Sequence, residues 1–125
     1  MSDSPEEQPN GHAGSFEQSA DLEEFLLALG KAQLAAGYPV DDVTNSLNAV
    51  ARSYGRSDFG IFVLPNAVLI DDPLTGRARI IPEGSDSLRL DQAAEVHDIA
   101  VRAKDREIDP AQATQELEDL PRKPP

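Results

Sequence analysis

The sequence predicts an α+β domain with the element order ααβββαα, and three observations predict it. Apolar residues recur at three- and four-residue steps in two segments that end at Gly37 and Gly55, as in amphipathic helices closed by glycine. From Phe59 the pattern changes to three short runs rich in Ile, Val and Leu, separated by turn residues. Two more helical patterns follow. We therefore expect a two-helix hairpin, a three-stranded antiparallel meander and two further helices.

The first helix is expected to begin near Asp21, whose carboxylate can cap it while Glu24 bonds back to the cap. Gly37 followed by Pro39 is a helix stop. The predicted apolar stripe between these signals consists of Leu22, Phe25, Leu26, Leu29, Ala32 and Ala36.

The second helix is predicted to start at Asp41 or Asp42, where early acids favour the positive end of the helix dipole. Gly55 ends it. The connection from the first helix is so short that the two helices should pack as an antiparallel hairpin. The predicted inner face of the second helix is Val43, Leu47, Val50, Ala51 and Tyr54.

Three strands are predicted at residues 61–64, 67–70 and 78–81, joined by turns at Pro65-Asn66 and at 72–76. The first two strands are apolar on both sides. We therefore expect helices to cover one face of the sheet and something else to cover the other.

Two helices are predicted after the sheet. Asp91 is the expected cap of the first, with Leu90 outside the cap and the helix running to about Lys104. Asp109 followed by Pro110 combines a capping residue with proline at the first helical position, which predicts a last helix. Its apolar residues are Ala113, Leu117 and Leu120.

The chain has 125 residues, enough for one core. Residues 1–18 are rich in Ser, Pro, Gly, Glu and Gln, and we expect them to form a disordered acidic leader. Residues 19–120 are predicted to form a single α+β domain. The Pro-rich residues 121–125 are predicted to be an extended stub toward a segment beyond this chain.

Composition excludes several classes of function. A formal net charge of −12 repels nucleic-acid phosphates, so no nucleic-acid partner is expected. The absence of cysteine excludes disulfides, thiolate catalysis and Cys-ligated zinc. No apolar run approaches the roughly 20 residues of a membrane-spanning helix. The N-terminus lacks the basic and apolar regions of a secretory signal.

Four residues are weak candidates for a site: His97, Asn66, Asp71 and Asp72. His97 lies in a predicted helix without the ligand set of a zinc site or a nucleophile beside it. Asp71 and Asp72 end a strand, where carboxylates can bind a cation or simply form a turn. Asn66 lies between two apolar strands, where a turn position that tolerates positive φ is favoured over a functional role. The sequence predicts no catalytic residue, no cofactor and no metal site.

The stretch 25–40, FLLALGKAQLAAGYPV, together with 50–55, VARSYG, resembles the opening of the threonine/serine exporter family. The resemblance continues through 59–70 and through Glu107-Ile108-Asp109-Pro110 to Leu120. Two departures stand near its end: Arg106 occupies a position where glycine is expected, and residues 122–125 lack the aromatic residue associated with that junction.

The resemblance implies the cytoplasmic N-terminal domain of a membrane transporter that exports small hydroxylated amino acids, with threonine or serine as the substrate of the parent protein. It implies a regulatory or assembly role on the cytoplasmic side of the cell membrane. The implied partner is the membrane-helix domain of the same parent or a partner subunit. The sequence leaves open whether the protein forms a homo-oligomer.

A different class of function also fits the residues, namely a stand-alone soluble module that binds another protein. The soluble part of the exporter family has been compared with hydrolases. Because no nucleophile and base stand together in this sequence, we expect no enzyme, although hydrolase activity is left open.

Overall fold

The computed structural model describes residues 7–82, 87–122 and 124. Within these ranges it confirms the α+β class and the order ααβββαα. The elements are α1 Glu7–Ala35, α2 Val40–Ser53, β1 Gly60–Leu64, β2 Ala67–Asp72, β3 Arg77–Pro82, α3 Leu90–Lys104, α4 Pro110–Asp119 and a closing 3₁₀ turn Leu120–Arg122.

The first helix is longer than the sequence pattern predicts. It begins at Glu7 rather than near Asp21, so residues 7–18 of the expected leader are helical and Asp21 lies inside the helix instead of capping it. Extending an existing helix is far easier than starting one, because each added residue gains a hydrogen bond. Pro9 is tolerated in the first turn, where its missing N–H has no helical partner. Residues 1–6 of the expected leader lie outside the described residues.

Smaller differences occur at three other ends. α2 begins at Val40, with Pro39 as its N-cap, and Asp41 and Asp42 fall in the first turn. α3 begins at Leu90, so Asp91 is not the cap. At the end of α4, Pro121 and Arg122 continue into the 3₁₀ turn, where extended chain was expected.

The α3 cap differs because a longer side chain supplies it. The Gln92 side-chain oxygen accepts a hydrogen bond from the Arg89 backbone N–H at 2.8 Å. The Gln92 amide also donates to the Leu120 carbonyl at 2.9 Å, which fixes the start of α3 against the end of α4. The predicted cap of α4 is present, since the Asp109 carboxylate accepts from the Gln112 N–H at 3.1 Å.

Three helices end in the same Schellman geometry. After α1, Tyr38 N–H bonds to the Gln33 carbonyl at 3.0 Å, with Gly37 at φ +91°. The same six-residue closure follows α2, with Gly55 at φ +78°. It also follows α3, where the left-handed position is held by Arg106 at φ +58°. The position at which the family resemblance led us to expect glycine is therefore one where glycine would relieve backbone strain.

The strands form an antiparallel meander in the order β1-β2-β3. Leu64 pairs with Ala67 across a two-residue turn, and Asp72 pairs with Arg77 across a four-residue turn. Because side chains alternate along a strand, Val68, Ile70 and Asp72 lie on one face of β2, and all three are buried. The opposite face carries Leu69 and Asp71.

α1 lies at the centre of the domain and packs against α2, α3, α4, β2 and β3. α2 packs against β1 and α3, so the two hairpin helices cover one face of the sheet. In the described part of the chain, no helix has both the length and the apolar character needed to cross a bilayer. The core includes four residues of the predicted stripe of α1 and extends through α2, β2, α3 and α4: Leu22, Phe25, Leu26, Leu29, Leu47, Val50, Val68, Ile70, Val96, Ile99 and Leu117.

Replacing Arg106 with Gly is expected to stabilise the domain. A non-glycine residue in the left-handed region costs roughly 1–2 kcal/mol, and the greater unfolded-state freedom of glycine takes back part of that gain. We expect the free energy of unfolding to rise by about 1 kcal/mol, as measured by urea denaturation. Arg106→Ala is the control, because it removes the charge but keeps the strain. An equal gain in both variants would show that charge, and not backbone strain, is responsible.

Candidate functional site: a buried charged cluster beside two clefts

The structure separates the four candidate residues. His97 is exposed on α3, and Asn66 is exposed in the turn between β1 and β2. Asp71 is exposed on the face of β2 that turns away from the helices, whereas Asp72 is 1% exposed on the face that α1 covers. Among the described residues, no group of His, Asp or Glu side chains is arranged to hold a metal ion.

Asp72 is the candidate that the fold places in a buried polar environment. Its Oδ1 atom accepts a hydrogen bond from Arg56 Nη2 at 2.7 Å and another from the Leu74 backbone N–H at 3.0 Å. The second bond closes an Asx turn at the start of the β2–β3 connection. The Asp72 carboxylate therefore stabilises the turn and also binds Arg56, which is distant in sequence.

Arg56 has four more contacts. Its Nε and Nη2 atoms donate to the two Asp58 oxygens at 3.0 and 3.1 Å, and its Nη1 atom donates to the Ser19 hydroxyl. Its guanidinium carbon lies 4.3 Å from the centre of the Phe59 ring. The hydrogen bonds that Arg56 donates to Asp58 raise the pKa of Arg56, burial opposes the rise, and the bond that Arg56 donates to Asp72 adds to it. We call Ser19, Arg56, Asp58, Phe59 and Asp72 the Arg56 cluster.

The Arg56 cluster joins parts of the chain that are far apart in sequence. Ser19 belongs to α1, Arg56 follows the glycine that ends α2, and Asp72 ends β2. The planar guanidinium can bind several oxygens at fixed angles, which a lysine ammonium does less well. Arg56 thus ties α1 and the α2–β1 connection to the sheet.

A second acidic group lies next to this cluster on α1. The Glu23 side chain is 5% exposed, and its Oε1 atom is 3.8 Å from Arg79 Nη1. Arg79 makes its closer ion pair with Glu24, at 2.7 Å, and Glu24 is about half exposed. The Oε2 atom of Glu23 has no hydrogen-bond partner among the described residues. Burial therefore raises the pKa of Glu23, and the nearby Asp72 adds to the rise, while Arg79 opposes it.

Two clefts flank α1. A polar cleft of about 360 Å³ borders the Arg56 cluster, and an apolar cleft of about 260 Å³ lies between α1, β3 and α4. The polar cleft is lined by Gln18, Ser19, Asp21, Leu22, Tyr54, Arg56, Leu74, Arg106, Asp109 and Pro110. The apolar cleft is lined by Ala28, Lys31, Ala32, Ala35, Ile81, Leu88, Leu117, Glu118, Leu120 and Pro121.

The polar cleft is lined by charged side chains, among them Asp21, Arg56, Arg106 and Asp109. The hydroxyl of Ser19 accepts a bond from Arg56 and has no histidine or lysine bonded to it among the described residues. Tyr54 donates its hydroxyl to the Ile108 carbonyl, and burial raises the pKa of that phenol. These groups can orient a small polar molecule, but they do not form a nucleophile–base pair.

The sequence pattern does not single out Arg56, the central residue of this site. Arg56 stands two residues before Asp58, and that spacing was visible as a local charge pair. Its bonds to Ser19 and Asp72 span 37 and 16 positions, so no local pattern could have predicted them. The burial of Glu23 could not be predicted either, because the neighbouring Glu24 is the same residue type and is exposed.

A comparison with protein-family models shows to which family this chain is related. The family model ThrE, described as that of a threonine/serine exporter, matches residues 24–125. The chain belongs to the threonine/serine exporter family. Searches of curated proteins and of solved structures find no match. The match includes Arg56, Asp58, Phe59 and Asp72, so most of the Arg56 cluster lies within the exporter-family region.

Replacing Asp72 with Asn is expected to destabilise this exporter-family domain by about 3 kcal/mol, because the change leaves a partly buried arginine without one of its two carboxylates. Asp58→Asn is the matched control. The Asp58 side chain is 43% exposed, against 2% for Asp72, so its loss should cost about 1 kcal/mol or less. Urea denaturation measures both. Equal losses would show that burial does not distinguish the two partners.

Replacing Glu23 with Gln is expected to stabilise the exporter-family domain at neutral pH. The pKa of Glu23 is raised on folding, so the Glu23 carboxyl keeps its proton to higher pH in the folded state than in the unfolded state. The free energy of unfolding therefore falls as pH rises between the ordinary pKa and the raised pKa. Glu23→Gln removes that loss, so its gain over wild type should grow through the window and then level off.

The measurement is urea denaturation at a series of pH values. Glu24→Gln is the control for removing one negative charge next to Arg79, and it is not expected to show the gain, because Glu24 is solvated. A Glu23→Gln gain that is the same at every pH would contradict the assignment.

Proposed function

We propose that this chain is the cytoplasmic N-terminal domain of a threonine/serine exporter-like membrane transporter, where it has a regulatory or assembly role. The observation that carries the proposal is the family match over residues 24–125. That range begins at Glu24 within α1 and includes α2, all three strands, α3, α4 and the 3₁₀ turn.

The structure is compatible with a supporting role in export. The Arg56 cluster uses its charges internally, on Asp58, Asp72 and Ser19. Export requires a path across the bilayer, and we assign that path to another part of the parent protein or to a partner subunit. The domain then contributes through its contacts, and we assign it no catalytic step.

The first experiment locates the endogenous protein and its domain. Membrane and soluble fractions are separated and probed with an antibody raised against residues 19–120. We expect a band well above 13.5 kDa in the membrane fraction. Protease added to inverted vesicles should remove the epitope, and protease added to right-side-out vesicles should not. A soluble band at 13.5 kDa, or digestion from outside, would contradict the proposal.

The second experiment tests the role in transport. Cells expressing the parent protein with and without residues 19–120 are loaded with threonine, and efflux is followed together with the amount of parent protein in the membrane. Loss of efflux with normal membrane level indicates regulation, whereas loss of the parent from the membrane indicates assembly. Unchanged efflux contradicts both roles.

A stand-alone protein-binding module is the second candidate function. It is favoured by exposed apolar side chains on the outward face of the sheet, where Phe62 is 56% exposed and Ile80 is 60% exposed. This alternative predicts the soluble 13.5 kDa band, so the fractionation experiment separates the two.

A further inference from the structure

The Arg106 side chain lines the polar cleft together with two carboxylates. They belong to Asp21 of α1 and to Asp109, the N-cap of α4. Neither carboxylate forms an ion pair within the part of the chain that the structure describes. Asp109 accepts the Gln112 N–H at its Oδ2 atom, at 3.1 Å, and its Oδ1 atom has no partner among the described residues. Both carboxylates can therefore accept hydrogen bonds from a ligand in the cleft.

Arg106 itself has a strained backbone and no internal partner. Its φ is +58°, whereas Gly37 and Gly55 take the equivalent position after α1 and α2. Among the described residues, the Arg106 side chain forms no hydrogen bond and no ion pair. Local strain that the fold maintains is concentrated at ligand sites. No contact of this guanidinium within the described chain accounts for arginine at a position where glycine would be unstrained.

Arg56, the other cation of the polar cleft, differs from Arg106 in this respect. Its guanidinium donates to Asp58 at 3.0 and 3.1 Å and to Asp72 at 2.7 Å, so two carboxylates neutralise its charge. The cleft therefore offers a ligand one unneutralised cation, Arg106, and two carboxylates.

Tyr54 lies within the electrostatic range of both Arg106 and Asp109. Burial raises the pKa of the Tyr54 phenol, while the hydrogen bond to the Ile108 carbonyl and the positive charge of Arg106 oppose the rise and the negative charge of Asp109 adds to it. Both charges act on one hydroxyl group, yet no ion pair joins them in the described chain. Opposite charges are thus available to a ligand on the Tyr54 side of the cleft.

A ligand that pairs with all of these charges must carry both signs. A carboxylate matches the planar fork of a guanidinium, and an ammonium group can donate three hydrogen bonds to carboxylate oxygens. A ligand with only negative groups, such as phosphate, would meet Asp21 and Asp109 in a chain with a formal net charge of −12. A ligand with only positive groups would be repelled by Arg106. A zwitterion satisfies both kinds of group.

The rest of the cleft limits the size and polarity of the ligand. Its volume of about 360 Å³ is near the lower end of the range for small-molecule sites, roughly 300–1,000 Å³. Leu22, Leu74 and Pro110 supply apolar lining. The Tyr54 hydroxyl already donates to the Ile108 carbonyl. A short, uncharged side chain on the ligand therefore fits better than a charged one.

We propose that the polar cleft binds a small neutral α-amino acid, whose carboxylate pairs with Arg106 and whose ammonium group pairs with Asp21 and Asp109. The inference deepens the proposed function and rests on it for the choice of threonine as the probe. In a regulatory domain of an exporter, such a site would respond to the concentration of the molecule to be exported.

NMR titration of the ¹⁵N-labelled 125-residue chain tests the proposal. L-Threonine is compared with 3-hydroxybutanoate, which lacks the ammonium group, and with 1-amino-2-propanol, which lacks the carboxylate. We expect saturable shifts with threonine, centred on the amides of residues 18–22, 54–56 and 106–110, and at least tenfold weaker binding of each analogue. Either analogue binding as tightly as threonine would overturn the zwitterion assignment.

Variants of Arg106 separate binding from folding. Arg106→Ala should weaken threonine binding at least tenfold. Arg106→Gly should weaken it equally while raising the free energy of unfolding, a combination that a merely structural role would not produce. The matched control is Arg122→Ala, which removes the same charge from a residue outside the cleft that is 75% exposed, and it should leave the affinity unchanged. Wild-type affinity in Arg106→Gly would contradict the proposal.

L-Alanine distinguishes the cleft from its transport role. Saturable binding of alanine but not of threonine would support an amino-acid site and separate it from threonine export. If neither amino acid gives saturable shifts at the cleft, the site is absent. The fractionation experiment above is independent of both results, so the proposed function can fail while the cleft still binds an amino acid, and the reverse.

Discussion

The burial of residues 22–35 of α1 on most sides is the constraint on which this domain depends. A helix in that position must be apolar around much of its circumference, and the consecutive buried residues Phe25, Leu26 and Leu27 of α1 point in three different directions from its axis. It also needs a close approach at Gly30. A Cβ atom there would lie 3.0 Å from atoms of both Leu47 and Val68, so glycine lets α2 and β2 pack against α1 together.

The polar groups of the domain follow from the same constraint. A central helix cannot turn all its polar residues to water, so Gln33 pairs with Ser46 of α2 at 2.9 Å. Glu23 is buried between Arg79 and the Arg56 cluster, and its Oε2 atom has no hydrogen-bond partner within the part of the chain that the structure describes. The Arg56 cluster therefore connects α1 to the sheet through hydrogen bonds. Because Ser19 and Arg56 also line the polar cleft, the shape of that cleft depends on the contact between them.

The function proposed for this exporter-family domain fits such an arrangement. Three of the six large apolar side chains that are exposed in the described part of the chain, Phe62, Leu64 and Ile80, lie on the outward side of the sheet. Binding at that surface would not require rearrangement of the charged cluster, because Asp72 and Ile70 lie on the opposite face of β2 from Leu69.

The sequence by itself determined the class, the order of elements and most of their ends, because helix periodicity, strand alternation and glycine stops act within a few residues. Turn chemistry also marked Asp72 as a turn residue, and the family resemblance marked Arg106 as standing where glycine is expected. The start of α1 could not be predicted this way, since helix extension depends on context. Only the tertiary structure decided the site: Arg56 meets Ser19 across 37 positions and Arg79 meets Glu24 across 55. Such pairs depend on how α1 is packed against the sheet, and no local pattern encodes that packing.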